Sequence, residues 1–75
     1  MNRQINTVSN AEYPILLTPE EAASILGVKV NTLNTWRSTG RYGIPYLRLA
    51  GKIKYREQDI LAFIQSSLIE HKSIS

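Results

Sequence analysis

The apolar residues of this chain recur at helical spacing in three short segments, which predicts three short helices. In the first segment, Ala22, Ile25 and Leu26 fall on one helical face. Gly27 follows as a stop, because glycine accepts the left-handed backbone that often ends a helix. We therefore expect the face formed by these three side chains to pack on the core.

The start of the first helix has its own sequence signal. Thr18 can accept a hydrogen bond from a backbone amide of the first turn, and Pro19 has the backbone angle of the first helical position. Glu21 comes three residues after Thr18, which is the spacing of a reciprocal capping box. The sequence therefore predicts that the helix begins at about residue 19.

The second apolar segment predicts a helix over about residues 30–39, which Gly40 should end. Leu33 and Trp36 are three residues apart, so both should face inward. Two short helices separated by a tight turn that contains Gly27 have the spacing of a helix-turn-helix motif.

Two strand-like runs then follow, at residues 46–49 and 52–55, and they predict a β-hairpin. A two-residue loop would place Arg48 opposite Ile53 and would mix polar and apolar side chains on both faces. We therefore expect a bulged or longer loop over residues 50–52.

The third helix should begin near Glu57 and extend to about residue 67 or 70. Glu57 and Asp59 lie in its first turn, where the helix dipole stabilises carboxylates. A broad apolar stripe on this helix should face the core. Its members are Ile60, Leu61, Phe63, Ile64 and Leu68.

The two ends of the chain lack such periodicity. Residues 1–12 are polar and rich in Asn and Ser, and we expect a flexible N-terminal arm. Residues 71–75 should fray. The ordered domain is therefore expected to span residues 13–70.

Composition excludes several classes of protein. The 75 residues are enough for one small domain, and the lack of cysteine excludes disulfides and thiolate metal sites. The one histidine has no second ligand nearby, so we expect no metal site and no cofactor. The sequence contains no Gly-rich phosphate loop and no nucleophile–base pair, so we expect no catalytic residues and no enzyme. With no apolar run of membrane-spanning length, a soluble cytoplasmic protein is expected.

Charge is strongly segregated along the sequence. Residues 29–56 contain seven basic residues and no acidic ones, whereas all six carboxylates lie elsewhere. The net charge is +7 inside this stretch and 2 − 6 = −4 outside it, which gives the overall +3. Such a stretch is typical of a surface that binds a polyanion, although a solvated face has the same charge pattern.

The predicted second helix carries residue types that suit DNA. Asn can make two hydrogen bonds with adenine, Arg can bond guanine or phosphate, and Thr can contact a thymine methyl group. An ordinary exposed helix face is richer in Glu and Lys, which favours the DNA interpretation. The candidate DNA-binding residues here are Lys29, Asn31, Thr32, Asn34, Thr35 and Arg37.

The predicted hairpin alternates basic and apolar residues. Its apolar side chains can hold it on the core while its basic ones meet a phosphate backbone or a minor groove. Basic residues that protect an edge strand from aggregation are the alternative explanation. The candidate DNA-binding residues of the loop and wing are Arg41, Tyr42, Arg48, Lys52, Lys54 and Arg56.

The run LLTPEEAASILGVKVNTLNTWRSTG, followed by GIPYLRLAGKIKYREQDILAFIQSSL, closely resembles the small excisionase-like helix-turn-helix family. That family includes prophage regulators of the AlpA kind. The resemblance covers about residues 16–68. It rests on the L-T-P-E-E-A-A start, the A-x-x-L-G-V turn, the T-L-x-x-W-R helix, the P-Y-x-x-L-x-G-K-I-x-Y wing and the closing D-I-x-x-F-I helix.

The resemblance implies a mainly α (α+β) winged helix-turn-helix related to the MerR DNA-binding domain, with about three helices and a two-stranded hairpin wing. The recognition helix then falls on residues 31–37 and the wing on residues 48–56. The family commonly starts the recognition helix with a Ser-Pro-like pair, whereas this chain has Lys29 and Val30. Because Lys29 is a poor cap, we expect a less regular helix start or one capped by a bound phosphate.

The resemblance also implies a function. We expect a sequence-specific protein that binds double-stranded DNA in a prophage or mobile element, as an excisionase or a small transcriptional regulator. An integrase is an implied partner, and a homodimer or a cooperative array on repeated sites would add affinity. The alternative is a winged-helix adaptor that docks on an integrase or another protein through its hairpin and last helix.

Overall fold

The computed structural model describes residues 13–70, and these form three α-helices and a three-stranded antiparallel sheet. The expected arm at residues 1–12 and the expected frayed tail at 71–75 lie outside the described residues. The helices are α1 (Pro19–Leu26), α2 (Val30–Thr39) and α3 (Glu57–Ser66). The strands are β1 (Leu16–Leu17), β2 (Leu47–Leu49) and β3 (Lys52–Arg56), and a short 3-10 turn (Arg41–Gly43) follows α2.

The core lies where the three helices meet the sheet. Leu33 of α2, Tyr55 of β3 and Ile60 of α3 are its largest fully buried side chains. Ala22 and Ala23 of α1 are also buried, and their small side chains let the neighbouring elements approach α1 closely. The structure is therefore the expected winged helix-turn-helix, in which β2 and β3 form the wing.

The sheet has one strand more than the predicted two-stranded wing. β1 pairs with β3, so that Leu16 lies opposite Arg56 and Leu17 opposite Tyr55. The backbone amide of Glu57 also donates to the carbonyl of Ile15, at 2.8 Å. Two residues are too few to show strand alternation, which is why the sequence pattern did not predict β1. This pairing ties the segment before α1 to the wing and to the start of α3.

The start of α1 confirms the predicted capping box. The amide of Glu21 donates to Thr18 Oγ1 at 3.0 Å, and the amide of Thr18 donates to Glu21 Oε1 at 2.9 Å. Gly27 ends the helix with φ of 75°. The predicted inward face was wrong at Ile25, which is 44% exposed, because Ala23 takes the inward position instead.

The predicted bounds of α2 are confirmed, and Lys29 provides no cap, as its residue type predicts. Lys29 stands at the N-cap without a side-chain hydrogen bond, and Gly40 ends the helix with φ of 76°. Leu33 is fully buried, whereas Trp36 is half-buried at the edge of the core. The packing of α2 therefore rests on buried Leu33, with Val30 and Trp36 packed against the core on either side of it.

The expected bulge in the hairpin was wrong. The strands keep a strict register across a two-residue loop, with Leu47 opposite Lys54 and Arg48 opposite Ile53. Both loop residues, Ala50 and Gly51, have positive φ, which is the geometry whose twist matches the flanking strands. The mixing of polar and apolar side chains is tolerated because β2 is largely exposed, so neither of its faces is sealed from water.

Helix α3 begins at Glu57 as predicted and ends at Ser66, one residue before the shorter expected end. The predicted inward stripe was partly wrong. Ile60 is buried and Phe63 half-buried, but the other three members of the stripe are exposed. They are Leu61, Ile64 and Leu68. A domain this small covers only a narrow line along the helix, so the flank of the stripe stays in solvent.

Candidate nucleic-acid interface

Helix α2 presents its candidate residues on its outer face and along one side. Asn31 and Thr35 are exposed, whereas Asn34 and Arg37 are half-buried on the side of the helix nearest the wing. Thr32 is half-buried too. The first turn contains no acidic residue, so a DNA phosphate that approaches the start of α2 meets no like charge within that turn.

Three hydroxyl groups of α2 are engaged within the helix. Thr35 Oγ1 donates to the carbonyl of Asn31 at 3.0 Å, and Ser38 and Thr39 both donate to the carbonyl of Thr35, at 3.1 and 2.9 Å. A phosphate oxygen needs a donor, and these hydroxyl protons are already used. In this arrangement Thr35 offers DNA its methyl group and an acceptor oxygen.

Asn34 and Arg37 are joined by a hydrogen bond. Arg37 Nη1 donates to Asn34 Oδ1 at 2.8 Å, and the pair is partly buried. The guanidinium carbon of Arg37 also lies 6.0 Å from the ring centre of Tyr46, at the outer limit of a cation–π contact. Arg37 therefore spans from α2 to the base of the wing.

A groove of about 400 Å³ separates α2 from the wing. Asn34 and Arg37 form one wall, and Lys52, Ile53 and Lys54 of β3 form another. The start of α1 closes the groove with Thr18, Pro19 and Glu20. The fold thus brings together candidates from the helix and from the wing that lie far apart in the sequence.

Arg56 differs from the other candidate bases because it is held by a carboxylate. Its Nε donates to Asp59 Oδ2 at 2.6 Å and its Nη2 donates to Asp59 Oδ1 at 3.0 Å. Hydrogen bonding to Asp59, and then the charge of that carboxylate, raises the pKa of Arg56 above its ordinary value. The fork that would bind a phosphate is therefore occupied, and its charge is offset.

Arg41 and Tyr42 lie together beyond the end of α2 and do not line the groove. The Arg41 guanidinium carbon is 5.0 Å from the ring centre of Tyr42. The Tyr42 ring meets Trp36 edge-on at 4.7 Å and lies 5.5 Å from Phe63, between ring centres. Tyr42 has φ of 67°, an unusual backbone angle for a bulky residue. Its evident role is to cover Trp36.

The remaining wing candidate, Arg48, is exposed on β2 and also lies outside the groove lining. Two residues of the interface were not singled out from the sequence. The ring centre of Tyr46 lies 6.0 Å from the guanidinium carbon of Arg37, and Glu20 is the one acidic residue that lines the groove. Both lie within the family motifs, but the motifs do not place them at this groove, since that depends on how α1 and the wing meet.

Within residues 13–70, no cluster of three His, Cys, Asp or Glu side chains is arranged to hold a metal ion. The helices of that same range all lack the length and apolarity needed to cross a membrane.

A comparison with protein families gives a match over residues 16–67 to a family described as a helix-turn-helix domain. The matched segment runs from β1 through the end of α3 and includes both walls of the groove. The chain belongs to this family. The resemblance to excisionase-like and AlpA-like helix-turn-helix proteins is thereby confirmed. No significant match to a curated protein or to a solved structure is found.

Membership of the family assigns DNA as the class of partner. Helix-turn-helix domains place their second helix in the major groove, where side chains near its start reach base edges. DNA-binding domains of this family generally do not catalyse a reaction. In this chain the second helix is α2, and the wing lies beside it across the groove.

Proposed function

We propose that this chain binds double-stranded DNA sequence-specifically, with α2 in the major groove and the β2–β3 wing against the adjacent backbone or minor groove. The observation that carries the proposal is the groove where Arg37 of α2 meets Lys52 and Lys54 of the wing. Three cations on one concave surface suit a polyanion that passes between helix and wing.

The charges that remain available support the same conclusion. Of the seven basic residues in the basic stretch, only Arg56 forms an ion pair within residues 13–70, so six are left for DNA. If four to six phosphates are contacted, the logarithm of the binding constant should fall with the logarithm of salt concentration with a slope of about −4 to −5.

The biological role follows from the family resemblance. We propose a prophage or mobile-element protein that acts as an excisionase or as a small transcriptional regulator. A single copy of so small a domain offers little contact area, so a homodimer or a cooperative array on repeated sites would supply affinity. The gene neighbourhood is a direct indicator, because an adjacent integrase gene would favour the excisionase role.

An adaptor that docks on an integrase or another protein is the second candidate. It is favoured by the exposed apolar residues Leu61 and Ile64 of α3 and Leu68 just beyond its end. Such a row can serve a protein contact while α2 and the wing remain accessible.

Titration of the purified protein against a labelled duplex at several salt concentrations tests the first proposal. We expect steep salt dependence and tighter binding to a sequence selected from a random pool than to its scrambled version. Lys54→Gln should reduce the salt slope by about one. The matched control Arg56→Gln should change it less, because Asp59 already holds that charge.

A flat salt response would contradict the DNA proposal. Binding of the purified integrase from the same element, in the absence of DNA and lost in Leu61→Lys, would support the adaptor instead.

A further inference from the structure

The bond between Asn34 and Arg37 changes the role that the sequence suggests for Asn34. A base-reading Asn aligns its amide plane with adenine, where its oxygen accepts from N6 and its nitrogen donates to N7. In this structure the Asn34 oxygen already accepts from Arg37 Nη1 at 2.8 Å, and the contact is partly buried. Arg has donors only, so the oxygen of the amide, and not its nitrogen, must face the guanidinium.

Arg37 is consequently held from two sides. Asn34 fixes Nη1, and the ring of Tyr46 lies 6.0 Å from the guanidinium carbon. The edge formed by Nε and Nη2 makes no side-chain hydrogen bond within residues 13–70. That edge offers two parallel donors, which is the geometry that binds a group with two acceptor oxygens.

The surroundings of Arg37 indicate which group this is. Lys52 and Lys54 line the same groove, and a base edge, which is uncharged, does not call for three cations. A phosphodiester has two non-bridging oxygens that share one negative charge, and it matches both the fork and the lysines.

From this arrangement we propose that Asn34 is a positioning residue that acts through Arg37, and that Arg37 with Lys52 and Lys54 holds one backbone phosphodiester of the DNA in the groove between α2 and the wing. The inference rests on the proposed DNA binding and adds the site and its ligand. Sequence is then read by the outer face of α2, which includes Asn31 and Thr35.

The site contains one opposing charge. Glu20 lines the groove and forms no ion pair within the described part of the chain. A carboxylate beside the phosphodiester weakens binding, so Glu20→Gln should strengthen DNA binding about twofold to fivefold at low salt. Glu70→Gln removes an exposed carboxylate outside the groove and serves as the matched control.

A double-mutant cycle tests how Asn34 acts. Wild type, Asn34→Ala, Arg37→Gln and the double variant are titrated against a selected duplex and its scrambled version at two salt concentrations. Arg37→Gln removes the charge but keeps an amide group that can donate to Asn34. A cooperative thermal melt confirms that each variant folds. We expect Arg37→Gln to lose about tenfold or more on both duplexes, and Asn34→Ala about threefold to tenfold on both.

In the double variant, Asn34→Ala should cost nothing beyond the loss caused by Arg37→Gln, because its effect passes through the guanidinium. An additive loss, or a loss confined to the selected duplex, would show that Asn34 reads a base and would overturn the positioning role.

Substituted DNA identifies the ligand of Arg37. Neutral methylphosphonate linkages are placed one at a time along the selected duplex, and 7-deazaguanine replaces each guanine in a second series. We expect a methylphosphonate at one particular linkage to weaken DNA binding by the wild type. The same substitution should leave the binding of Arg37→Gln unchanged. If that pattern appears with a 7-deazaguanine instead, Arg37 reads guanine and the phosphodiester assignment is overturned. If the wild type shows no salt-dependent binding to any duplex, the proposed function itself fails.

Discussion

The two helices of the helix-turn-helix begin in opposite ways. Helix α1 has a complete capping box between Thr18 and Glu21, a proline in its first turn and two acidic residues there. Helix α2 begins at Lys29 with no side-chain cap and no acid in its first turn.

Helix α1 is stabilised locally at its start, whereas α2 depends on its tertiary contacts. The sequence of α2 is rich in Asn and Thr, which are poor helix formers. Leu33 and the aromatic group of Trp36, Tyr42 and Phe63 hold α2 in place instead. The absence of acids and caps leaves the start of α2 open to an anion, at a cost in intrinsic helix stability.

The largest effect is expected from removing the tertiary support of α2. Trp36→Ala should destabilise the domain by about 2–3 kcal/mol, less than a fully buried tryptophan would, because the indole is half-buried. Denaturant unfolding measures the loss. Trp36→Phe, which keeps an aromatic ring against Tyr42, should recover part of it. An unchanged unfolding midpoint would mean that Trp36 does not support α2.

Removing the cap of α1 should have the next largest effect. Thr18→Ala deletes the side-chain acceptor for the Glu21 amide and should cost about 1 kcal/mol of unfolding free energy. Thr18→Ser, which keeps the hydroxyl, is the control and should be nearly neutral. A loss as small as that of the control would show that the capping box contributes little to α1.

Adding a cap to α2 should have the opposite sign. Lys29→Ser supplies the missing N-cap acceptor and should stabilise the domain by about 0.5–1 kcal/mol. The same change removes one of the cations proposed for DNA and should weaken binding to any duplex. If the variant is more stable and its DNA affinity is unchanged, the uncapped start of α2 does not contribute to anion binding.

The smallest effect concerns α3, whose first turn does carry acids, Glu57 and Asp59. Asp59→Asn should weaken the hold on Arg56 and leave its charge available, so the salt slope of DNA binding should steepen by a fraction of one unit. Glu57→Gln removes the other carboxylate of the same turn, changes the net charge by the same amount and is the control for net charge. A slope that does not change would mean that Arg56 lies away from the DNA.

Local signals predicted the parts of the fold that depend on neighbouring residues. The cap at Thr18, the stops at Gly27 and Gly40 and the bounds of α2 all follow from contacts within a few positions. The charge pattern and the motifs also predicted the family and the class of partner. The recognition-helix and wing residues named from the sequence stay predictions, and the structure adds where they lie.

Other features were decided where distant segments meet. β1 exists as a strand because β3 offers it a partner, and the hairpin keeps a strict register because Ala50 accepts a left-handed angle that its residue type disfavours. Ile25 and the outer stripe of α3 are exposed because a small core cannot cover them.

The sequence by itself determined the helix boundaries, the segregation of charge and the membership of a helix-turn-helix family, since each is encoded in local pattern. The tertiary structure alone decided which groups from distant segments stand beside the cations. It placed Glu20 in the groove with Lys52 and Lys54, and it set Arg37 beside Tyr46. The contacts of Asn34 with Arg37 and of Arg56 with Asp59, by contrast, join residues only three positions apart. The physical reason is that the interaction of charged groups depends on the distance between them. Local sequence sets that distance only for neighbours within about one helical turn, and the folded chain sets it for all other pairs.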